Sequence, residues 1–302
     1  MAGVSDAATD RRQELLALGA ALVTVVLWAS AFVGIRAAGE DLTGGAPSLG
    51  RLLVASVVLG VIVLVRSEKL PARRDLGLVL VCGVLWFGIY NVALNEAERR
   101  VDAGTAAMLV NVGPILIALL AGWLLKEGFP RTLLRGMAVA FAGVVVIGLA
   151  TSQDGLTAST GTFLCLLAAV TYAGGVVAQK PLLSRSSALA VTWAACTVGA
   201  VVCLPFAPRL IEEMGEAGGG SIAWTVYLGV FPTAIAFTTW AYALTRSTAG
   251  RMGSTTYLVP PLAILMGWAI LGETPPALAL LGGVLCLTGA AMARRKPPRG
   301  TA

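Results

Sequence analysis

Residues 101–128 read VDAGTAAMLVNVGPILIALLAGWLLKEG, and residues 253–273 read GSTTYLVPPLAILMGWAILGE. Each is an apolar run with a proline inside it and a glutamate closing it. At a fixed offset of 146, Pro114 falls on Pro260 and Glu127 on Glu273. The same ungapped comparison pairs Gly83 with Gly229, Gly104 with Gly250, Pro130 with Pro276, Gly136 with Gly282 and Gly143 with Gly289. Composition alone predicts about one Gly, Pro or Glu identity over this stretch, so seven mark an internal duplication. An offset of 144 carries the match into earlier runs, pairing Trp28 with Tyr172 and Arg36 with Lys180.

What is duplicated follows from composition. The 302 residues are 57% hydrophobic and 13% charged, where a soluble chain carries about a quarter of its residues as charges. A spanning helix needs roughly 20 apolar residues. Apolar runs at 15–35, 47–65, 76–95, 103–125, 132–150, 161–180, 188–207, 222–244, 251–271 and 277–293 predict ten spans with short connections. The longest gap, Pro208 to Ser221, reads as a polar loop. The first run extends about 21 residues, longer than a signal core, and has an internal counterpart, so it reads as a retained span.

The expected fold is therefore an all-α integral membrane protein of ten transmembrane helices arranged as two inverted five-helix repeats. The expected divisions are a cytoplasmic N-terminal segment (1–14), a first repeat (15–150), a second repeat (161–293) and a cytoplasmic basic tail (294–302). An odd number of spans per copy makes the second copy enter the membrane from the opposite side, a route to alternating access. Charge supports the count. With both termini cytoplasmic, 17 of the 22 Lys and Arg residues fall on one face, while Arg36, Arg99, Arg100 and Arg209 fall on the other and Arg51 lies inside span 2. A multi-pass protein of the plasma (inner) membrane is expected.

The absence of histidine excludes Ser-His-Asp hydrolysis, HExxH zinc proteolysis and histidine proton relays. The five cysteines form no CxxC pair and read as apolar packing residues. The positive charges are interspersed between apolar runs, which argues against nucleic-acid binding. No metal or cofactor is expected. No Asp or Glu stands at mid-span, so proton coupling would lack the usual buried acid, and passive or exchange transport stays open. An intramembrane enzyme would need a nucleophile-base pair or a metal cluster that these spans lack, and a non-transporting sensor would give no flux of any solute.

The runs LWASAFVGIRAA (27–38), LGRLLVAS (49–56) and the two stretches quoted first resemble the drug/metabolite transporter superfamily, in particular its EamA-type ten-helix members. The resemblance covers 11–293. It implies a carrier with cytoplasmic termini that moves a small metabolite or drug-like solute, often outward, through a cavity lined by helices 1, 3, 4, 6, 8 and 9. Arg51 has no charged counterpart in span 7, so its role is not duplicated.

The candidate substrate-binding residues are Trp28, Arg51, Trp86, Tyr90, Asn91, Asn111, Pro114, Tyr172, Gln179, Trp240, Tyr257 and Pro260. Pro114 and Pro260 interrupt matching spans and free backbone carbonyls, a pointer to a transporter site; a packing kink is the structural alternative. Arg51 either contacts an anionic solute or snorkels to the interface. Asn91, Asn111 and Gln179 must face protein or a wet cavity, with interhelical hydrogen bonding as the other use. The aromatics offer apolar area and cation–π contact, or form an interfacial belt. Glu127 and Glu273 read as loop contacts in preference to proton sites. Small residues such as Ala118 and Gly122 permit close packing without establishing a homodimer. The expected partners are a small-molecule substrate and the lipid bilayer.

Overall fold

The computed structural model describes residues 2–39, 41–100, 106, 109–151, 160–271 and 276–294. Among them all regular structure is helical. Seven helices are long and apolar enough to cross a bilayer alone: Arg12–Ile35, Ala46–Val65, Arg73–Glu98, Arg131–Ala150, Thr160–Leu182, Gly219–Thr245 and Ala249–Ile270. Ala188–Val202 makes an eighth when joined to Leu204–Glu216 across a 50° bend, and the shorter apolar helices Gly113–Leu124 and Ala277–Ala293 occupy the remaining places. An apolar helix thus stands at each of the ten expected positions, numbered spans 1 to 10 in chain order. The helix of span 1 starts at Ala2. Glu273 and residues 295–302 lie outside the described residues.

Local chemistry sets the helix starts. Pro47 occupies the first turn of span 2, where a missing N–H costs nothing. Ser187 caps span 7 by accepting from Ala190 N, and Thr248 caps span 9 by accepting from Arg251 N. Glu127, just beyond span 4, accepts from Ala249 N and Gly250 N at 2.8 and 3.2 Å, so a carboxylate of one half closes a helix start of the other. Lys180 Nζ donates to the carbonyls of Leu244 and Ser247 at the end of span 8.

The polar loop expected at 208–221 is instead largely helix: a short turn at Leu204–Phe206, then Ala207–Glu216. Pro208 sits at its start, and Leu210, Ile211 and Met214 recur at helical spacing against Arg209, Glu212, Glu213 and Glu216. That separation of faces suits a helix lying in the membrane interface. A Cβ on Gly50 would lie 3.4 Å from Leu210, so the helix rests on span 2.

The packing is two-fold. Span 1 packs on spans 8 and 9, as span 6 does on spans 3 and 4; span 2 meets span 8, as span 7 meets span 3; and spans 2 with 7, 4 with 9 and 5 with 10 pair across the axis. The repeated glycines lie at these contacts. A Cβ on Gly83 would lie 2.7 Å from the Ala195 carbonyl, and one on Gly229 would lie 2.8 Å from the Arg51 carbonyl. Between spans 5 and 10, a Cβ on Gly136 would lie 2.3 Å from Ala293 N and one on Gly289 would lie 2.3 Å from Ala140 N. Such backbone approach is the small-residue mode of packing in a bilayer, where hydrophobic burial no longer drives helices together.

Two tethers complete the pattern. Asp41, after span 1, accepts from Ser221 Oγ at 2.7 Å and Gly218 N at 3.0 Å at the start of span 8. These bonds, Ser221 first, hold its carboxyl below the usual range. Arg185, after span 6, donates to Asp75 at 2.6 Å at the start of span 3. Asp41 and Arg185 correspond at offset 144, and Ser221 and Asp75 at offset 146.

Candidate functional site

Spans 3 and 8 share an irregularity. Both turn π-helical at Gly83–Ile89 and Gly229–Ile235, again 146 residues apart. A π-turn widens the helix and loosens its carbonyls, and such turns gather at functional sites. Each is repaired by a polar side chain. Asn91 Nδ2 donates to the Trp86 and Phe87 carbonyls at 3.2 and 2.9 Å. Thr233 Oγ1 donates to the Leu228 carbonyl at 2.7 Å.

Spans 4 and 9 are broken at matching points. Asn111 and Val112 form a turn before Gly113–Leu124, and Thr256–Leu258 form a 3-10 turn between Ala249–Thr255 and Val259–Leu271. Asn111 corresponds to Tyr257 at the shared offset.

These irregular segments surround a cavity of about 90 Å³. Of the twelve candidate residues, Trp28, Arg51, Trp86, Tyr90, Asn91, Asn111, Pro114 and Tyr172 line it. Its wall comes from spans 1, 3, 4, 6, 8 and 9, with span 2 contributing Arg51. Span 1 exposes Ile35 to it near the face opposite the chain ends. A second cavity of about 370 Å³ lies toward the face of the chain ends, with Leu18, Arg246, Arg251 and Thr255 among its lining residues. The two share spans 1, 8 and 9. Along span 1, Ala21 in the second cavity and Trp28 in the first are about 10 Å apart.

An aromatic layer lies between them. Trp28 is 5.0 Å from Trp240, 5.3 Å from Phe237 and 6.2 Å from Trp86, and Trp86 is 5.4 Å from Tyr172, measured between ring centroids. The first cavity has room for roughly three waters, well below the several hundred Å³ of a drug-sized site. A drug-sized solute would fit only if the halves moved, and the rings of Trp28, Phe237 and Trp240 stand between the two cavities.

Arg51 is 5% exposed and donates Nε to Thr233 Oγ1 at 3.0 Å. No carboxylate lies within ion-pair distance of it among the described residues. The Trp28 indole N–H is buried without a partner. The site thus offers donors to an acceptor-bearing solute. Asn91 reaches the wall, but its amide donors serve the backbone.

The other four candidates stand off the wall. Trp240 packs behind Trp28. Tyr257 turns toward spans 5 and 10, in a cluster with Met137, Val144 and Cys286. Pro260 is buried beside the span 9 break. Gln179 is fully buried two turns beyond Tyr172, and neither amide atom has a partner in this conformation. Sequence reasoning missed Phe32, Phe237 and Thr256 on the wall. Phe237 falls on Asn91 at offset 146, a signal the duplication carried.

The profile of the EamA-like transporter family matches residues 15–149 and again 159–295. The chain belongs to the EamA-like transporter family. A probable terminal-alkyne amino-acid exporter of Streptantibioticus cattleyicolor is 38% identical over 93% of this chain and 94% of its own length. The uncharacterized transporter YdfC of Bacillus subtilis is 34% identical over 87% of this chain and 86% of its own. A probable amino-acid metabolite efflux pump of Salmonella typhimurium is 25% identical, covering 89% of this chain and 91% of its own. A solved crystal structure superposes with TM-score 0.77 at 21% identity over 92% of this chain and 96% of that one, a likeness of fold alone. As an EamA-like protein the chain is a multi-pass membrane transporter of small molecules, which sets aside the enzyme alternative.

Proposed function

We propose that this EamA-like transporter exports a small amino-acid-like solute across the plasma membrane, with both of its termini in the cytoplasm. The solute carboxylate pairs with Arg51 while its non-polar side lies against Trp28, Trp86 and Tyr172. The reading rests on Arg51, a buried guanidinium on a cavity wall; among the described residues no carboxylate forms an ion pair with it, and Glu98 acts on it only at longer range. A buried charge without a close partner is expensive, so a carboxylate arriving from solution gains a direct ion pair with Arg51. The name of the Streptantibioticus relative, an amino-acid exporter, points to the same class of solute. No carboxylate lines the cavity among the described residues, which fits transport down the solute gradient or by exchange; Glu98, whose charge reaches Arg51 and Tyr90, is the acid that proton coupling would use.

The test is counterflow in proteoliposomes, comparing amino acids with the amines that share their side chains but lack the carboxylate. Amino acids are expected to exchange and the amines not. Arg51→Gln should lose at least about ten-fold in transport, consistent with loss of a charge-assisted bond of roughly 1.5–3 kcal/mol. Equal transport of acid and amine, or a fully active Arg51→Gln chain, contradicts the reading, and zero flux of every solute would instead point to a sensor.

A further inference from the structure

The two tethers enclose corresponding corners on opposite faces, and the corners are filled differently. On the face away from the chain ends, the long connection between spans 7 and 8 fills its corner. A Cβ on Gly45 would lie 2.5 Å from the Phe206 ring. The Glu213 carboxylate accepts from Thr43 N at 2.9 Å and from the Thr43 hydroxyl, so an anion of the protein sits at the approach to span 2.

On the face of the chain ends, the connection between spans 2 and 3 is shorter, and the corner by the Arg185–Asp75 tether is an open cavity of about 490 Å³. Its wall carries Arg66, Lys69, Arg74 and Arg185 against Glu68 and Asp75. Asp75 is already engaged, 2.6 Å from Arg185 and 3.9 Å from Arg74, so the cationic excess is uncommitted. Ser186 and Ser187 bring the start of span 7 to the same wall, the position that corresponds to the one Glu213 meets at span 2. Leu64, Val65 and Leu70, at 78%, 80% and 55% exposure, form an apolar apron beside the cavity.

We propose that this corner binds the phosphate of an anionic phospholipid, which supplies on this face the negative group that Glu213 supplies on the other. The phosphate oxygens face Arg66, Lys69 and the start of span 7, and the acyl chains descend along Leu64, Val65 and Leu70. Basic pockets between spans are suited to such headgroups, and a helix N-terminus favours an anion. The apolar apron favours a lipid over free phosphate as the source of the group.

The test is native mass spectrometry of the full chain in detergent, titrated with phosphatidylglycerol, with phosphatidylcholine and with inorganic phosphate as competitor. The double variant Arg66→Gln/Lys69→Gln leaves the Arg185–Asp75 tether intact, and Arg131→Gln/Arg135→Gln removes the same charge from span 5 on the same face. Phosphatidylglycerol should be retained over phosphatidylcholine, with affinity reduced on the order of 30-fold in the first double variant and unchanged in the second. Phosphate that binds alone and displaces the lipid supports the anion site but overturns its assignment to lipid. Equal losses in both double variants, no preference between the two lipids, or no lipid retained by a folded chain overturns the site itself.

Discussion

Thr233 uses one hydroxyl twice: it donates to the Leu228 carbonyl that the π-turn loosens and accepts from Arg51 Nε. This is why Arg51 faces the cavity and does not snorkel. The partner lies 182 residues away on span 8, so the sequence around Arg51 left its direction open, and only the fold turns it inward. Asn91 was legible as a polar group needing protein or water, but its service to its own helix depends on the π-turn, which no local pattern announced. Thr233→Val should free the guanidinium without removing its charge. The expected outcome is a rise in KM of roughly three- to ten-fold, in line with the loss of one hydrogen bond of about 1 kcal/mol. Unchanged KM in proteoliposome transport would place Arg51 orientation elsewhere.

At the level of elements, the glycine identities seen along the chain became contacts. Gly136, Gly143, Gly282 and Gly289 were visible as a repeat, and they lie where spans 5 and 10 bring their backbones together. Apolar runs located most of the helices to within a few residues, although the apolar helix of span 4 begins only at Gly113. The reading failed at 208–216, where charge density hid an amphipathic helix of ten residues. The breaks in spans 4 and 9 were legible through their prolines, but the side of the break facing the cavity was not, because Asn111 and Tyr257 occupy matching positions and point to different surroundings. Two alanine substitutions separate packing from propensity. Gly77→Ala, in a helix with open space around it, should gain about 0.5–1 kcal/mol from the unfolded state. Gly289→Ala meets backbone at 2.3 Å and should lose about 1–3 kcal/mol or more through overpacking. Thermal unfolding followed by size-exclusion chromatography checks the pair, and equal shifts would contradict the close approach of spans 5 and 10.

For the molecule as a whole, the duplication gives two halves whose contacts repeat across an axis: glycines, π-turns, helix breaks and tethers all recur. The fold class was readable because a bilayer admits few architectures and the repeat shows at full length in one sequence. The solute was not readable, because the proposed site is a handful of side chains brought together from seven spans. A small first cavity, an aromatic layer and a second cavity beyond it are the arrangement expected of one stage of the proposed cycle, in which the halves would exchange conformations. The most direct test uses a chain whose five native cysteines, all buried, are replaced by alanine, with a single cysteine placed at Ile35 in the first cavity or at Leu18 in the second. Labelling by a membrane-impermeant thiol reagent, applied from each side with and without saturating solute, is the measurement. Alternating access predicts that solute changes the two labelling rates in opposite directions, and rates that stay fixed at both positions while transport proceeds would contradict it.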